Sequence, residues 1–583
     1  MTESTAKVLR PPVLLAYFDN SDAPAHIEIQ SGAQQVWRSA DDGIWVWADG
    51  YIANRTEIIG LLGLRGTNDD REILYHLYHR FGLEGAKAVA GTIAWALWDS
   101  LHHRLLIVRD RIGNHNFYYT KLGSGYWIAN RLEALLKVPA VAHNPNPRSV
   151  AALITGLPLL PGETFYQSIQ ELAPGGWMLL QVTDRQEGYY WQVEPQPLLK
   201  LRSDEEYAQT LRELLFRLVA EHVPDGQAGI TLSSGLDSTS VAVAIRHSAP
   251  RTSLIALCWT APELPEADES RFSSEVCRFL DIPFKEIRAD HLWPMSRPDG
   301  IYTSAMMPFL GYYTELLDET FQAARREGCK VVFSGMSGDH LFGGNVFAYP
   351  DLLLTGHWLE LARQIRYHLP RSSMKLSLFQ IIRRMILSPT REAYLPGVRG
   401  RLPPPAPWLR PLYVELYHTE LNRPPERHWM LPGRLGRFRM LGHPFLPRQV
   451  EAINRQAESN GVEFRHPLLD HRIIEFALSL PSNQTFRASQ RKIIIRNAMR
   501  GLLPASVIDM WDKIVPTEIF HRGLREREPV KAWPLMTHMR AAEMGFVDEQ
   551  KLRAAYQDYL DGKTDNTLFW HTLTLEDWLR RWF

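Results

Sequence analysis

The chain has 583 residues, 65 Lys+Arg against 65 Asp+Glu, and three cysteines. At roughly 150 residues per domain, that length predicts two to four domains, each with its own core, and excludes a single small module. The charge balance lacks the basic bias of a dedicated nucleic-acid binder, so no nucleic-acid partner is expected.

Cys258, Cys277 and Cys329 are far apart and form no CxxC pair. A disulfide framework and a thiolate zinc site are therefore not expected, and a reducing cytoplasm is the expected compartment. The apolar run near the N-terminus is short and broken by Pro11 and Pro12, without a signal-type cleavage context. No membrane partner is expected.

Residues 1–190 read as short β-prone runs: Val13–Phe18, Ile44–Ala48, Leu105–Val108, Phe117–Thr120 and Trp177–Val182, with one helix around Asp69–Phe81. Gly188–Ser203, with Pro195 and Pro197, reads as a connector, which puts a domain boundary near residue 200. The pattern then alternates: strand Gly229–Leu232, a helix from Ser238, strand Leu254–Trp259, helix Ser270–Leu280, strand Phe284–Ile287, helix Tyr313–Arg326 and strand Val331–Phe333. Such alternation predicts an α/β domain with a doubly wound parallel sheet. Phe272, Val276 and Phe279 have the spacing of one helix face against that sheet. Beyond residue 355 the chain reads as mostly helical, with a proline-crowded excursion over Ser388–Gly433 that includes Pro403, Pro404, Pro405 and Pro407. Such a stretch inside a domain suits a lid or partner surface.

The strongest motif is Ser233-Ser234-Gly235-Leu236-Asp237-Ser238-Thr239, placed between a strand and a helix. Small residues let backbone N–H groups approach a phosphate. The hydroxyls of Ser233, Ser238 and Thr239 are candidate donors, and the helix dipole favours negative charge there. GxxxxGK[ST] is absent, which argues against kinase-type phosphoryl transfer. A second loop, Ser334-Gly335-Met336-Ser337-Gly338-Asp339-His340-Leu341-Phe342-Gly343-Gly344, follows another strand. Both loops should open at the carboxyl edge of one sheet. There Asp237 and Asp339 are candidate hard-oxygen ligands for Mg²⁺ on nucleotide phosphates.

The two loops resemble the SGGLDS pyrophosphate loop and the SGxGxDExFGG element of the asparagine synthetase family. The resemblance continues through Glu463-Phe464-Arg465-His466-Pro467-Leu468-Leu469-Asp470 (EARxPFLD), Lys492–Arg496 (KxxLR), Leu503-Pro504 and Lys513 (RxK). It implies an ATP-pyrophosphatase synthetase domain over residues 200–583 that uses ATP and Mg²⁺ to activate a carboxylate as an acyl-adenylate for attack by an amine. By the same resemblance Ser233, Gly235, Asp237 and Ser238 face pyrophosphate and Asp237 and Asp339 hold the metal, with Ser234 and Thr239 as further candidate nucleotide-binding residues of the loop. Leu232, Trp259, Ser334 and Gly335 line the adenosine side, and Lys513 stabilises charge in both steps.

Residues 1–199 resemble the family's glutamine-hydrolysing domain, an Ntn-hydrolase-like α+β sandwich. Asp49-Gly50-Tyr51-Ile52-Ala53-Asn54-Arg55 is similar to NGEIYN, Gly91–Asp99 to the GxFAxAxWD strand, and Arg109–Gly113 to RDRxG. The nucleophilic cysteine after the initiator methionine is here Thr2, and the glutamine-binding Asn and Glu are Asp49 and Tyr51. Loss of glutaminase activity is expected, and the attacking amine should then come from a substrate. Met336 replaces the family's catalytic glutamate and the tyrosine of β-lactam-forming relatives, so the proton must pass elsewhere, with His340 as one candidate.

The combination is most similar to lasso peptide macrolactam cyclases. In these the N-terminal amine of a core peptide attacks an adenylated Asp or Glu side chain, alongside a leader peptidase and a leader-recognition protein. A β-lactam synthetase acting on a small β-amino acid, or a silent scaffold in a peptide-maturation complex, are the alternatives. HExxH and GxSxG signatures are absent from the sequence, which gives no support to a metalloprotease or serine hydrolase.

Overall fold

A computed structural model describes residues 13–18, 26–29, 36–39, 43–67, 69–181, 184–297, 304–308, 311–344, 347–368, 377–394, 405–415, 430–488, 490–510, 514 and 516–583. Thr2, Lys513 and much of the proline-rich 388–433 stretch lie outside these residues.

The N-terminal half holds eleven described strands: β1 Leu14–Phe18, β2 His26–Ile29, β3 Val36–Arg38, β4 Ile44–Ile52, β5 Gly91–Asp99, β6 Arg104–Val108, β7 Tyr118–Leu122, β8 Gly125–Ala129, β9 Gln170–Glu171, β10 Gly176–Gln181 and β11 Asp184–Tyr189. They form two antiparallel sheets, ordered β2-β1-β8-β7-β9 and β11-β10-β6-β5-β4-β3. The period-2 alternation of β1 and β6 sends Leu14, Ala16, Phe18, Leu105 and Ile107 into the core between the sheets, where Trp47 and Trp98 join them.

The expectation of one helix here is corrected. Besides α2 (Asp70–Phe81), the structure has α1 (Arg55–Leu62), α3 (Leu132–Leu136) and α4 (Pro147–Ile154). The three additional helices have eight residues or fewer, too short for a clear 3.6-residue pattern, and are held by packing. α2 shows the expected signals: Asp69 caps it by accepting the Arg71 N–H, acids occupy the first turn, and Gly82 follows the last.

α5 (Asp204–His222) opens the second half. Ser203 caps it by accepting the Glu206 N–H, and the Glu206 carboxylate reaches back to the Arg202 N–H. A five-stranded parallel sheet follows: β12 Gln227–Leu232, β13 Ser253–Thr260, β14 Phe284–Arg288, β15 Val331–Phe333 and β16 Glu463–Arg465, ordered β14-β13-β12-β15-β16. The alternating sequence predicts four of these strands; β16 comes from the segment read only as a motif. α5, α6 (Leu236–Ser248) and α7 (Ser270–Leu280) cover one face, with Ala256 and Cys258 pointing toward them. α8 (Thr314–Arg326) and the helix Phe445–Ser459 cover the other, against Ile255, Leu257 and Val332. The sheet is therefore wound on both faces.

α6 starts at Leu236, two residues earlier than the sequence pattern predicts. Phe279 is a second correction, because it is 53% exposed. At about 100° per residue, the buried arc of α7 centres on Ser273, Val276 and Cys277, and Phe279 lies roughly 110° round from its middle. No helix among the described residues is long and apolar enough to cross a membrane.

Candidate active site

β12 and β15 are neighbours in a parallel ladder, so the loops that leave them lie side by side. Two glycines permit their contact. A Cβ on Gly335 would sit 2.2 Å from the Ser238 nitrogen, and one on Gly338 would sit 2.1 Å from Cγ of Asp237. Ser337 between them has φ 69°, at the place where the family pattern has glycine.

In the first loop, Oγ of Ser233 lies 2.9 Å from Oγ of Ser238, which also accepts the Ser233 N–H at 3.1 Å. The Gly235 N–H donates to Ser233 Oγ at 3.2 Å. These bonds wrap the turn around the first residues of α6. Ser234 and Thr239 do not face the loop's mouth. The Ser234 hydroxyl donates to Glu269 at 2.6 Å, and the buried Thr239 hydroxyl donates to the Gly235 carbonyl at 2.9 Å.

The candidate metal ligands converge on a third residue. The Lys492 ammonium lies 2.6 Å from Oδ2 of Asp237 and 2.7 Å from Oδ1 of Asp339. Lys492 has left-handed backbone angles (φ 60°, ψ 39°) at the start of the helix Ile493–Met499, and its side chain is almost wholly buried. The sequence places it within the KxxLR-like element, but nothing in residue type or spacing singles it out as the cation between the two acids.

His340 follows Asp339 in the short helix α9 (Gly338–Phe342), and its Nδ1 is buried without a hydrogen-bond partner among the described residues. Burial holds its pKa below the ordinary histidine value, against the opposing pull of Asp339 and Asp237. Met336 packs half-buried between the cores on either side of the sheet.

On the side expected to take adenosine, Leu232 is buried and Trp259 is half-buried, its indole N–H donating to Thr320 at 2.9 Å. Ser334 uses both its donors within the protein. Its N–H goes to the Arg465 carbonyl at 3.1 Å and its hydroxyl pairs with Nδ1 of His466 at 2.7 Å. Ser334 therefore braces the loop, and Gly335 supplies the close backbone approach.

The donor set fits a magnesium-bound triphosphate. Two carboxylates offer hard oxygens, an ammonium stands between them, and a helix N-terminus with two hydroxyls lies alongside. Asp237 and Asp339 would hold the ion.

The positions equivalent to the glutamine-binding residues are occupied differently. Oδ2 of Asp49 accepts from Asn130 at 3.2 Å and lies 3.3 Å from Nδ1 of His115. Burial opposes charge on His115, but the Asp49 carboxylate overrides it and pushes the imidazole up to about 9. The Tyr51 hydroxyl lies 2.6 Å from Nδ1 of His222, whose Nε2 lies 3.2 Å from Asp470, and the Arg465 guanidinium sits 3.8 Å from the Tyr51 ring centroid. Both positions are committed to structural contacts, and those of Tyr51 reach the second sheet's side of the molecule.

The helix Phe445–Ser459 joins the two halves through a polar stripe. Arg448 pairs with Glu171, and Glu451 with Arg109 and the Tyr118 hydroxyl. Asn454 donates to Asn114, and Glu458 pairs with Arg131. The stripe steps by three or four residues, one face of a helix. The adjoining face, with Val450, Ile453 and Ala457, is apolar and buried.

Residues 210–580 match the family described as asparagine synthase, and residues 24–191 match a glutamine amidotransferase domain. An amidase, chyE, from Penicillium rubens is 24% identical over 589 residues, covering 90% of this chain and 84% of that protein. Asparagine synthetase [glutamine-hydrolyzing] 3 of Bacillus subtilis is 21% identical over 505 residues, covering 83% and 77%. Among solved structures, the B. subtilis glutamine phosphoribosylpyrophosphate amidotransferase aligns at 12% identity with a TM-score of 0.23, over 56% of this chain and 84% of that one. With its family signature spanning more than half of its length, the chain belongs to the asparagine synthase family.

Proposed function

We propose that this protein is an ATP-dependent macrolactam synthetase of the lasso peptide type. The observation that carries the reading is the pairing of a complete Asp237–Lys492–Asp339 cluster with amidotransferase positions turned to other use. Carboxylate activation is equipped, while Asp49 and Tyr51 are tied into contacts that leave no glutamine-binding pair. The amine must then be the substrate's own. Among the relatives, one named an amidase is in keeping with amide chemistry other than asparagine formation.

In the first step, a side-chain carboxylate oxygen of a peptide Asp or Glu attacks the α-phosphorus of ATP. The bond to the β-phosphate breaks, pyrophosphate leaves and an acyl–AMP anhydride remains. Ser233, Ser238, the first turn of α6 and Lys492 hold the departing pyrophosphate. A bound Mg²⁺ would neutralise the growing negative charge there.

In the second step, the peptide's N-terminal nitrogen attacks the acyl carbon, AMP leaves with the former carboxylate oxygen, and the amine proton passes to a base. His340 is assigned that role, since it follows Asp339 in the chain and its buried Nδ1 has no hydrogen-bond partner among the described residues. Lys513 is assigned charge stabilisation in both steps. Met336 puts an apolar surface where relatives have an ionisable group, leaving the amine a drier approach.

In this account residues 1–199 form a retired amidotransferase domain and residues 200–583 the synthetase. A leader peptidase and a leader-recognition protein would supply the free core peptide in the cytoplasm. The test is mass spectrometry of candidate core peptides incubated with ATP, Mg²⁺ and protein. The reading expects loss of one water with AMP and pyrophosphate formed, and no glutamate released from glutamine. ADP formation would overturn it, as would adenylation of a small β-amino acid with no response to any peptide.

A further inference from the structure

A directional chain of hydrogen bonds links the N-terminal half to the second nucleotide loop. It starts at Asp110, in the segment similar to RDRxG. The Asp110 carboxylate accepts the backbone N–H groups of Ile112, Gly113, Asn114 and His115 at 2.9–3.2 Å, and the Asn114 side-chain amide at 3.1 Å. A carboxylate engaged this way only accepts, so the Asn114 amide nitrogen points to it and the Asn114 carbonyl points away.

That carbonyl accepts from Nδ2 of Asn454 at 3.0 Å, which turns the Asn454 carbonyl toward Nε2 of His466 at 2.9 Å. Nε2 therefore carries the proton and Nδ1 is the acceptor. Nδ1 takes the Ser334 hydroxyl proton at 2.7 Å, leaving Ser334 Oγ to accept the Met336 N–H at 3.2 Å. Every donor along the path is fixed by the carboxylate at its start. His466 is buried, and burial pushes its pKa down to about 3, so the imidazole stays neutral and the tautomer persists across physiological pH.

We propose that His466 is a positioning residue for the Ser334–Gly338 loop, and that the N-terminal half sets that loop's geometry through Asn114 and Asn454. This rests on the reading of the loop as a nucleotide site. The amidotransferase-like half thereby keeps a present role. The interface holds Asn454, Asn454 orients the imidazole, and the imidazole orients the turn that carries Gly335 and leads into the helix of Asp339. Nothing in the EARxPFLD-like motif marks His466, which falls at the motif's variable position.

Substitutions separate the two ends of the imidazole. The amide oxygen of His466→Asn can stand where Nδ1 accepts from Ser334. His466→Gln can keep the donor toward Asn454 but loses the acceptor for Ser334. Binding of α,β-methylene ATP with Mg²⁺ is measured by calorimetry on the full chain, with melting temperatures alongside.

The expected result is a dissociation constant raised about threefold for His466→Asn, which keeps Ser334 but cuts the link to Asn454, and at least tenfold for His466→Gln. Asn114→Ala, which touches no nucleotide residue, should raise it at least threefold. Equal binding by wild type and His466→Gln would overturn the proposal. So would losses in both His466 variants that track melting temperature alone. If His466→Gln does not fold, Asn114→Ala decides: unchanged affinity overturns the coupling. Absence of nucleotide binding by the wild-type chain would instead sink the nucleotide-site reading beneath it.

Discussion

Lys492 holds its ammonium 2.6 Å from the Asp237 carboxylate, at the junction of two loops that leave adjacent parallel strands. It also reaches Asp339 at 2.7 Å, so a single cation bridges both acids proposed to take the metal and leaves the cluster one net negative charge. Lys492→Ala should lower the rate of pyrophosphate release about 10²–10³-fold, the usual cost of losing one preorganised charge partner at a transferring group. Lys492→Arg should recover little, because a planar fork does not replace a point charge between two carboxylates. A coupled pyrophosphate assay reads both.

Asp339→Asn should abolish Mg²⁺-dependent adenylation while leaving the fold intact, since its side chain is half exposed. Asp237→Asn should do the same to activity and also remove the buried partner of Lys492. Magnesium titrations of nucleotide affinity, with thermal melts as the control, separate the two effects.

The interface between the halves should weaken as pH rises. Burial pushes Glu451 up to about 7, despite the neighbouring Arg109. From about pH 4.5 to 7 the folded protein then holds a proton that the unfolded chain has released, so this group's contribution to stability falls across that window. His115, raised to about 9, contributes fully below its unfolded value of about 6.5. That contribution is lost as pH climbs through 9. Each group corresponds to a loss on the order of 3 kcal/mol. Buried His466, held near 3, has the opposite slope below its unfolded value of about 6.5, so denaturant melts from pH 5 to 9 are read as the difference between wild type and Glu451→Gln. That difference should fall in the wild type's disfavour from pH 5 to 7, and a difference that rises over the same range would contradict this account of the interface.

Tyr51→Phe removes a hydroxyl 2.6 Å from His222 and keeps the ring under Arg465. A buried imidazole nitrogen is left without its partner, at a cost of about 1–2 kcal/mol. The melting temperature should drop, with little change in the rate of pyrophosphate release at a temperature where the variant is folded. A large loss of rate without loss of stability would place Tyr51 in the chemistry instead.

The strand-loop-helix order around Ser233–Thr239 and the strand before Ser334 are legible because hydrophobic runs and small-residue turns mark them locally. The α7 face is misread at Phe279 because three apolar residues define a stripe without fixing its centre, and the small residues Ser273 and Cys277 hold that centre. The short helices of the first half leave no periodic trace. Lys492 and His466 sit inside motif-like segments, yet their roles come from long-range packing: a left-handed turn aims one at Asp237, and a helix from 12 residues upstream orients the other. Asp49 and Tyr51 are legible as departures from a glutamine site. Their use in contacts with His115 and His222 depends on the docking of the halves, which residue spacing does not encode.

At the centre of the proposed chemistry, a peptide side-chain carboxylate is joined to AMP and then displaced by the peptide's own amine. The most direct measurement uses a core peptide whose Asp or Glu side-chain carboxylate carries ¹⁸O, incubated with the protein, ATP and Mg²⁺, followed by mass spectrometry of nucleotide and peptide. The prediction is one ¹⁸O atom in AMP for each ring closed, with the other kept in the new amide carbonyl. Label appearing in inorganic phosphate alongside ADP, or a closed ring with unlabelled AMP, would contradict it.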